Sequence, residues 1–339
     1  MMKQYKVAAM QASPVFLDLD ATVEKGVKLI EEAARNGAQV VVFPEAFFPG
    51  YPYWIWLGEP APYGLPFFER LYENSLEVPS PAIARLAKAA RDNNIYVCAS
   101  GTEKDRGSLY LTQFWFDRCG NLMGKHRKIK PTGVERTIWG EGDGSMMQVF
   151  PTELGNLGGL MCWEHLMAVN HVVMDSLNEQ VHAASWPAFA WDEASVHHYD
   201  TAEAASKIYA ITTGTFVVLS SEVLSQDTID IMCAGQKDEE YKRSIYKAGQ
   251  ACPARIINPQ GKIVSGDLLT HDEEGIVYGE VNLDELADIK YHIDTAGHYS
   301  NPAVSRVIFD RRPMEMVTII GNQIDYSMPY NELDSEGSE

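Results

Sequence analysis

The 339-residue chain reads as an α/β protein, and three features of the sequence carry that reading. Its first hundred residues alternate between helical and strand periodicity. Its strand candidates are continuous apolar runs that lack polar alternation, which suits strands covered on both faces. The second half of the chain also repeats the scheme of the first, so one internally duplicated half-unit packed into a single domain is expected, with no linker-like stretch to divide it.

In chain order, Lys6-Val7-Ala8-Ala9-Met10 is the opening strand. Asp20 can cap the helix that follows, whose apolar positions Val23, Val27, Ile30 and Ala34 recur at helical spacing, and Asn36-Gly37 supplies its stop. Val40-Val41-Val42-Phe43 is a buried strand that ends at Pro44-Glu45. Ser80-Pro81 gives the cap and first residue of a second helix, with Ile83, Leu86, Ala87 and Ala90 as its buried stripe before Asn93-Asn94. Ile95-Tyr96-Val97-Cys98-Ala99 is the next buried strand, and from Leu109 the pattern becomes a hairpin in which residues 111–116 and 122–125 flank a turn at 117–121. The second half supplies strands at 157–161, 181–185 and 215–220 and a long helical stretch from Asp192 to about Thr213. Residues 254–264 then repeat the hairpin scheme around Asn258-Pro259-Gln260-Gly261.

Composition narrows the function classes. Hydrophobic residues make up 45% and charged ones 22%, which sets aside disordered and coiled-coil chains. The 28 Lys and Arg against 47 Asp and Glu leave a net charge of −19, which repels phosphate backbones and anionic lipid, so neither nucleic acid nor membrane is expected as a partner. Part of that charge lies in an acidic tail at 331–339. No apolar run approaches the ~20 residues of a membrane span, and no signal-peptide pattern opens the chain, so a cytoplasmic location is expected. The five cysteines are scattered without a C-x-x-C pair, which suggests neither a disulfide framework nor a zinc ribbon. Signatures of P-loop and dinucleotide enzymes, serine hydrolases and zincins are missing. Gly140, Gly142 and Gly144 open no helix, so they read as a shaped loop near the site rather than a phosphate cradle.

Chemistry gathers at strand ends, where open α/β folds place ligands. Cys162 follows the apolar strand Gly158-Gly159-Leu160-Met161 and precedes Trp163-Glu164-His165. Glu45 closes an equivalent buried strand, where an unpartnered carboxylate would be costly. His126-Arg127-Lys128-Ile129-Lys130-Pro131-Thr132 brings a lysine to the end of the hairpin, and spacing alone leaves Lys128 and Lys130 as competitors on one strand face. His126, His165 and the pair His197-His198 have no structural-zinc spacing, so no metal is expected.

Phe43-Pro44-Glu45, the segment from His126 to Thr132, and Gly159-Leu160-Met161-Cys162-Trp163-Glu164-His165 resemble, in order and spacing, the three signature segments of the nitrilase, or carbon-nitrogen hydrolase, superfamily. The resemblance runs from about Lys6 to about Phe309. Cys162-Trp163-Glu164, Val134-Glu135-Arg136, the stretch from Trp139 to Gly144, Tyr51-Pro52-Tyr53-Trp54 and Trp186-Pro187 are similar to the nitrilase branch in particular. The resemblance implies a four-layer α-β-β-α sandwich spanning residues 1–313, followed by a C-terminal extension at 314–339. It implies hydrolysis of a small-molecule nitrile to acid and ammonia, with an amidase or carbamoylase as the alternative. It implies Cys162 as nucleophile, Glu45 as general base, Lys128 as stabiliser of developing negative charge, Glu135 as second carboxylate and the backbone N–H of Trp163 as a further donor. Glu164 and His165 would support the nucleophile, while Tyr51, Trp139, Trp163, Pro187 and Phe189 would line an apolar substrate pocket. The implied chemistry requires no cofactor. A homodimer or higher homo-oligomer is implied too, although the short tail after Arg311-Arg312-Pro313 argues against long filaments. A second departure is the segment Leu166-Met167-Ala168-Val169-Asn170, which lacks the proline expected shortly after His165.

Overall fold

The computed structural model describes residues 3–58, 62–190, 199–249, 251–266, 268–314, 317 and 320–321. Its first half runs β1 (Gln4–Ala12), α1 (Leu19–Arg35), β2 (Ala38–Val42), α2 (Trp54–Leu57), α3 (Leu65–Glu73), α4 (Pro81–Asp92), β3 (Tyr96–Asp105), β4 (Ser108–Phe116) and β5 (Leu122–Arg127). The second half runs β6 (Val149–Thr152), β7 (Gly155–Met161), α5 (Ala168–Ser176), β8 (Val181–Trp186), α6 (Tyr199–Thr213), β9 (Phe216–Glu222), α7 (Gln226–Cys233), α8 (Glu239–Ala248), β10 (Arg255–Ile257), β11 (Gly275–Asn282) and α9 (Glu285–His292).

Strands follow the path β5-β4-β3-β2-β1-β9-β8-β7-β6, with β11 on β1 and β10 on β9. β1 meets β9 at only two residue pairs, Gln11 with Ser221 and Ala12 with Glu222, while β11 pairs along most of its length. The path therefore splits into two sheets hinged at that short junction. The sheets have one plan. Each holds three parallel strands, β1-β2-β3 or β7-β8-β9, bordered by an antiparallel strand on either side, β11 and β4 or β6 and β10. This is the duplication expected from the sequence, including the second hairpin, which is reduced to a single bridge between Ile257 and Ile263.

Side-chain alternation builds the four layers. Val7, Ala9, Val40, Val42, Tyr96 and Cys98 face Leu157, Val181, Ala183, Phe216 and Val218 in one core between the sheets. Their neighbours Ala8, Met10, Val41, Phe43, Val97 and Ala99 point the other way, onto Val23, Ile30 and Ala33 of α1 and Ile83, Leu86 and Ala90 of α4. In the second sheet Leu160, Ala184, Val217 and Leu219 lie under Val173 and Met174 of α5 and Ala202, Ala205, Tyr209 and Ala210 of α6. The central parallel strands are buried on both faces because each sheet has a sheet on one side and helices on the other.

Local signals are met with two corrections. Ser80 caps α4 through the Ile83 N–H, Pro81 begins it, and Asn36 and Asn93 end their helices. The cap of α1 is Asp18, not Asp20: its carboxylate accepts the Ala21 N–H, and Asp20, one residue into the helix, pairs with Arg85. The strand read at 95–99 continues to Asp105 and turns directly into β4, a hairpin that the mixed segment 100–108 does not advertise. Helices α2, α3, α5, α7, α8 and α9 have no counterpart in the sequence reading, because they are short or carry weak caps. The described part of the long helix is α6, while His197, His198 and the acidic tail lie outside the described residues.

Candidate active site

The ends of β2, β5 and β7 meet because the two sheets are stitched together there. The Phe43 carbonyl accepts the hydroxyls of Ser185 (2.9 Å) and Ser220 (2.8 Å), and the Glu45 N–H donates to the Trp186 carbonyl (3.3 Å). Gln113 reaches from β4 to the carbonyls of Leu160 and Ala183 and to the Ser185 hydroxyl. Backbone polar groups left over at strand ends are thus paired across the interface, as burial requires.

At this junction Lys128, Glu45 and Glu135 are fully buried together. Lys128 Nζ donates to Glu45 Oε1 at 2.7 Å and to Glu135 Oε2 at 2.8 Å. The lysine backbone is held from both sides, its N–H on the Leu111 carbonyl and its carbonyl accepting the Gly142 N–H. A glycine is required at 142 because a Cβ there would lie 2.3 Å from the Arg127 carbonyl oxygen. The glycine-dense loop therefore shapes the site from behind Lys128. Lys130 is exposed and paired with Glu141, so the structure separates the two competing lysines.

Glu135 owes its place to a capping box. It is the third residue of the 3-10 turn Gly133–Thr137, and its Oε2 accepts the N–H of the N-cap Thr132 at 2.7 Å. Its other oxygen accepts the Tyr51 hydroxyl at 2.7 Å, which in turn accepts the Trp56 indole N–H at 3.1 Å.

Cys162 follows β7 with φ of +48°, a left-handed conformation uncommon for a residue with a side chain. It opens the short turn Cys162–Leu166, and the Trp163 backbone N–H donates to its sulfur. Glu164 clamps this turn to the end of β5. Its Oε1 accepts the Ile129 N–H, and its Oε2 accepts the Met161 N–H and pairs with His126 Nε2, at 2.8 to 2.9 Å. His165 turns its Nδ1 back to the Cys162 carbonyl at 2.7 Å.

Charge in this dry cluster is divided by its geometry. Burial pushes the Glu45 carboxyl up to about 8, against Lys128 and with help from the nearby Glu135 charge. Burial alone would favour a neutral Lys128 amine, but Glu135 and Glu45 override it and hold the ammonium. The Cys162 thiol is pushed well above its ordinary value by burial and then by Glu45, with Lys128 opposing. At rest the sulfur therefore keeps its proton, in the field of the Glu45 carboxyl, whose Oε2 is buried without a protein hydrogen-bond partner. Once Glu45 is ionised, the arrangement can hand a thiol proton to it and meet new negative charge with an ammonium.

The aromatic residues singled out in the sequence divide by position. Tyr51 touches Glu135, and Trp139 packs edge-on to Tyr51 at 5.7 Å with its indole N–H on Thr102. Phe189 and Trp163 join the cluster that contains Cys162. Pro187 is buried just after β8. Cys98, Cys233 and Cys252 are buried free thiols and Cys119 an exposed one. The sequence reading missed a buried chain behind the nucleophile: His165 Nε2 lies 2.9 Å from His182 Nε2, whose Nδ1 lies 2.8 Å from Glu179 Oε1. A histidine inside the apolar run of β8 and an acid just before it were the available signal.

The family profile described as carbon-nitrogen hydrolase matches residues 6–291. A nitrilase of Bacillus sp. (strain OxB-1) is 49% identical over 330 residues, which cover 97% of this chain and 95% of the relative. An aliphatic nitrilase of Rhodococcus rhodochrous is 42% identical over 310 residues, 91% of this chain and 83% of the relative. Among solved structures, Nit3 of Saccharomyces cerevisiae, a member of branch 10 of the nitrilase superfamily, superposes with a TM-score of 0.66 at 18% identity, covering 86% of this chain and 95% of that one. The four-layer fold, the profile match over most of the chain and the near-full-length relatives agree, and the chain belongs to the carbon-nitrogen hydrolase family.

Proposed function

We propose that this chain is a nitrilase, hydrolysing organic nitriles to carboxylic acids and ammonia through a covalent intermediate on Cys162. Relatives named nitrilase at 42 to 49% identity over nearly the whole chain support the substrate class. The observation that carries the mechanism is the buried Lys128 ammonium between the Glu45 and Glu135 carboxyl groups, whose charges act on a buried, protonated Cys162 thiol.

A nitrile carbon is a weak electrophile and needs a soft nucleophile. As the Cys162 sulfur bonds to that carbon, its proton passes to Glu45 and one C–N π pair moves to nitrogen. Lys128 and the Trp163 N–H meet the charge that develops, and Glu45 returns the proton to give a neutral thioimidate. Water, giving a proton to Glu45, then adds to the same carbon. The C=N π pair moves to nitrogen, which takes that proton from Glu45 as its second. The adduct's hydroxyl then passes its own proton by way of Glu45 to the nitrogen as the third, the C–N bond breaks to release ammonia, and a thioester remains. A second water releases the acid and restores the thiol. Glu135 holds Lys128 in place, and Tyr51, Trp139, Trp163, Pro187 and Phe189 form the apolar wall suited to a neutral substrate. Glu164 and His165 support the nucleophile turn. These steps use side chains, the Trp163 backbone N–H and water.

The hydrolase unit spans 1–313 in this reading, with 314–339 as an extension. A homodimer or larger homo-oligomer is supported by exposed Met167, Val169, Ile208 and Ile211 around α5 and α6. A cytoplasmic location is consistent with the described helices, none of which is long and apolar enough to cross a membrane.

The test is ammonia release from a nitrile and from its matching amide, with Cys162→Ala as control. Faster turnover of the nitrile, abolished in a folded Cys162→Ala protein, is expected. Clear preference for the amide would transfer the chain to the amidase or carbamoylase reading, and activity retained without Cys162 would refute the mechanism.

A further inference from the structure

Behind the nucleophile lies a chain of buried polar groups that the proposed chemistry does not use. It starts at Tyr209 of α6, whose hydroxyl donates to Glu179 Oε2 at 2.5 Å. Glu179 Oε1 meets His182 Nδ1 at 2.8 Å, His182 Nε2 meets His165 Nε2 at 2.9 Å, and His165 Nδ1 meets the Cys162 carbonyl oxygen at 2.7 Å. Glu179, His182, His165 and Tyr209 are all buried, and the His182 and Tyr209 rings lie 3.9 Å apart.

Counting protons constrains this chain. The Cys162 carbonyl can only accept, so His165 Nδ1 carries a hydrogen. The contact between the two imidazoles needs one hydrogen, and so does the contact between His182 and Glu179. Three contacts need three protons, while two neutral imidazoles and a carboxylate supply two. The intact chain therefore holds one additional proton. Its seat is the Glu179 carboxyl, because burial pushes that group up to about 8 and drives both His182 and His165 well below the ordinary imidazole value. The other titratable or charged groups around Glu179 are Asp175 and His171 of α5, Lys290 of α9 through its pair with Asp175, His126 of β5 and Glu164 of the nucleophile turn.

The far end of the chain matters because a peptide group is planar. The Cys162 carbonyl and the Trp163 N–H belong to one peptide plane and point in opposite directions. Anchoring the carbonyl on His165 therefore aims the N–H at the Cys162 sulfur and at the charge formed on attack. It also holds the left-handed backbone of Cys162, which an L-residue adopts at a cost of about 1–2 kcal/mol.

We propose that Glu179, His182 and His165 form a protonated positioning relay that orients the Cys162–Trp163 peptide for catalysis, and that loss of its stored proton disables the nucleophile turn. The proposal rests on Cys162 being the nucleophile. Without that proton, one contact brings two lone pairs face to face, and the chain opens or the carbonyl swings away. The relay's contribution is thus complete below the Glu179 transition and is lost as pH rises through it, which sets the alkaline limb of activity, while ionisation of Glu45 sets the acid limb.

The test compares Glu179→Gln with Glu179→Leu. A glutamine amide donates to His182 Nδ1 and its oxygen accepts from Tyr209, so it rebuilds all three contacts without a removable proton. Glu179→Leu is expected to lower kcat by about 100-fold, the scale of one lost transition-state donor, with little change in KM because it touches no substrate. Glu179→Gln is expected to recover most of that loss and to move the alkaline decline of kcat upward by at least about one pH unit. An unmoved alkaline limb, or a glutamine variant as damaged as the leucine one, overturns the relay. Histidine 15N spectra of Cys162→Ala protein give a reading independent of these variants. His165 is expected as the neutral Nδ1–H form at pH 7, changing between pH 7 and 9, and an invariant or Nε2–H form refutes the proposal. Turnover retained by Cys162→Ala would instead mark failure of the nucleophile assignment.

Discussion

Replacing Glu135 by glutamine isolates the electrostatic work of the buried triad. The carboxamide oxygen can keep both the Lys128 ammonium and the Thr132 N–H, and the NH2 group can turn to the Tyr51 oxygen, so the geometry survives while one negative charge disappears. The Glu45 and Glu135 oxygens sit 2.7 and 2.8 Å from one nitrogen, so they lie within about 5.5 Å of each other. Two unit charges at that distance repel by roughly 3 kcal/mol at an effective dielectric constant of about 20, equivalent to about 2 pKa units. Glu45, raised to about 8 in the intact site, should therefore ionise some 1–2 units lower in the variant. A base works only when ionised, so kcat/KM rises with pH through the Glu45 transition, and that rise moves to lower pH. The assay is ammonia release from about pH 5 to 9, with circular dichroism to confirm folding. A folded Glu135→Gln enzyme whose acid limb stays in place or moves up would show that the two carboxylates are not electrostatically coupled through Lys128, or that Glu45 is not the base.

Two further substitutions probe how the site is held. Glu164→Ala removes the acceptor shared by Ile129, Met161 and His126, and the buried groups left behind should cost about 3–5 kcal/mol, or about 5 °C in Tm for a chain of this length. Burial raises the Glu164 carboxyl, but His126 and the two N–H groups bring it below its ordinary value; burial lowers His126, but Glu164 brings it above. The stability lost in Glu164→Ala should accordingly be largest between the ordinary values of 4.5 and 6.5. It should shrink as pH falls through the folded Glu164 transition and as pH rises through the folded His126 transition, and a flat difference in melting temperature from pH 3 to 8 would contradict the clamp. Gly142→Ala drives a methyl group to 2.3 Å from the Arg127 carbonyl and should cost about 1–3 kcal/mol and at least about tenfold in kcat by displacing Lys128; wild-type kinetics in this variant would refute that support.

Much of the fold was legible because its elements are locally marked. Ser80-Pro81, Asn36-Gly37 and the turn at 117–121 act through their own side chains and backbone, and those signals hold in the structure. The hairpin joining β3 to β4 was not legible, since residues 100–108 mix small, polar and charged types and draw their order from pairing with β4 and from contacts with neighbouring segments. Asp18 and Asp20 are equally good caps by residue type, and only the entry angle of the chain into α1 chooses between them.

For the site, strand-end patterning in the sequence marked Glu45, Cys162 and a lysine after the hairpin, while Glu135 and the choice of Lys128 came only from the resemblance to the nitrilase signature segments. It could not separate Lys128 from Lys130 by spacing, nor say which oxygen meets which donor. Tertiary structure decided those points, through the stitching of β2 to β8 at Phe43, the capping box that turns Glu135 onto Lys128, and the clamp of Glu164 between β5 and β7. The chain from Tyr209 to Cys162 likewise exists only in three dimensions, where α6, β8 and the nucleophile turn converge. The physical reason is that patterning and caps depend on neighbours in the chain, whereas the charge state of a buried group depends on what the fold brings within a few ångströms of it.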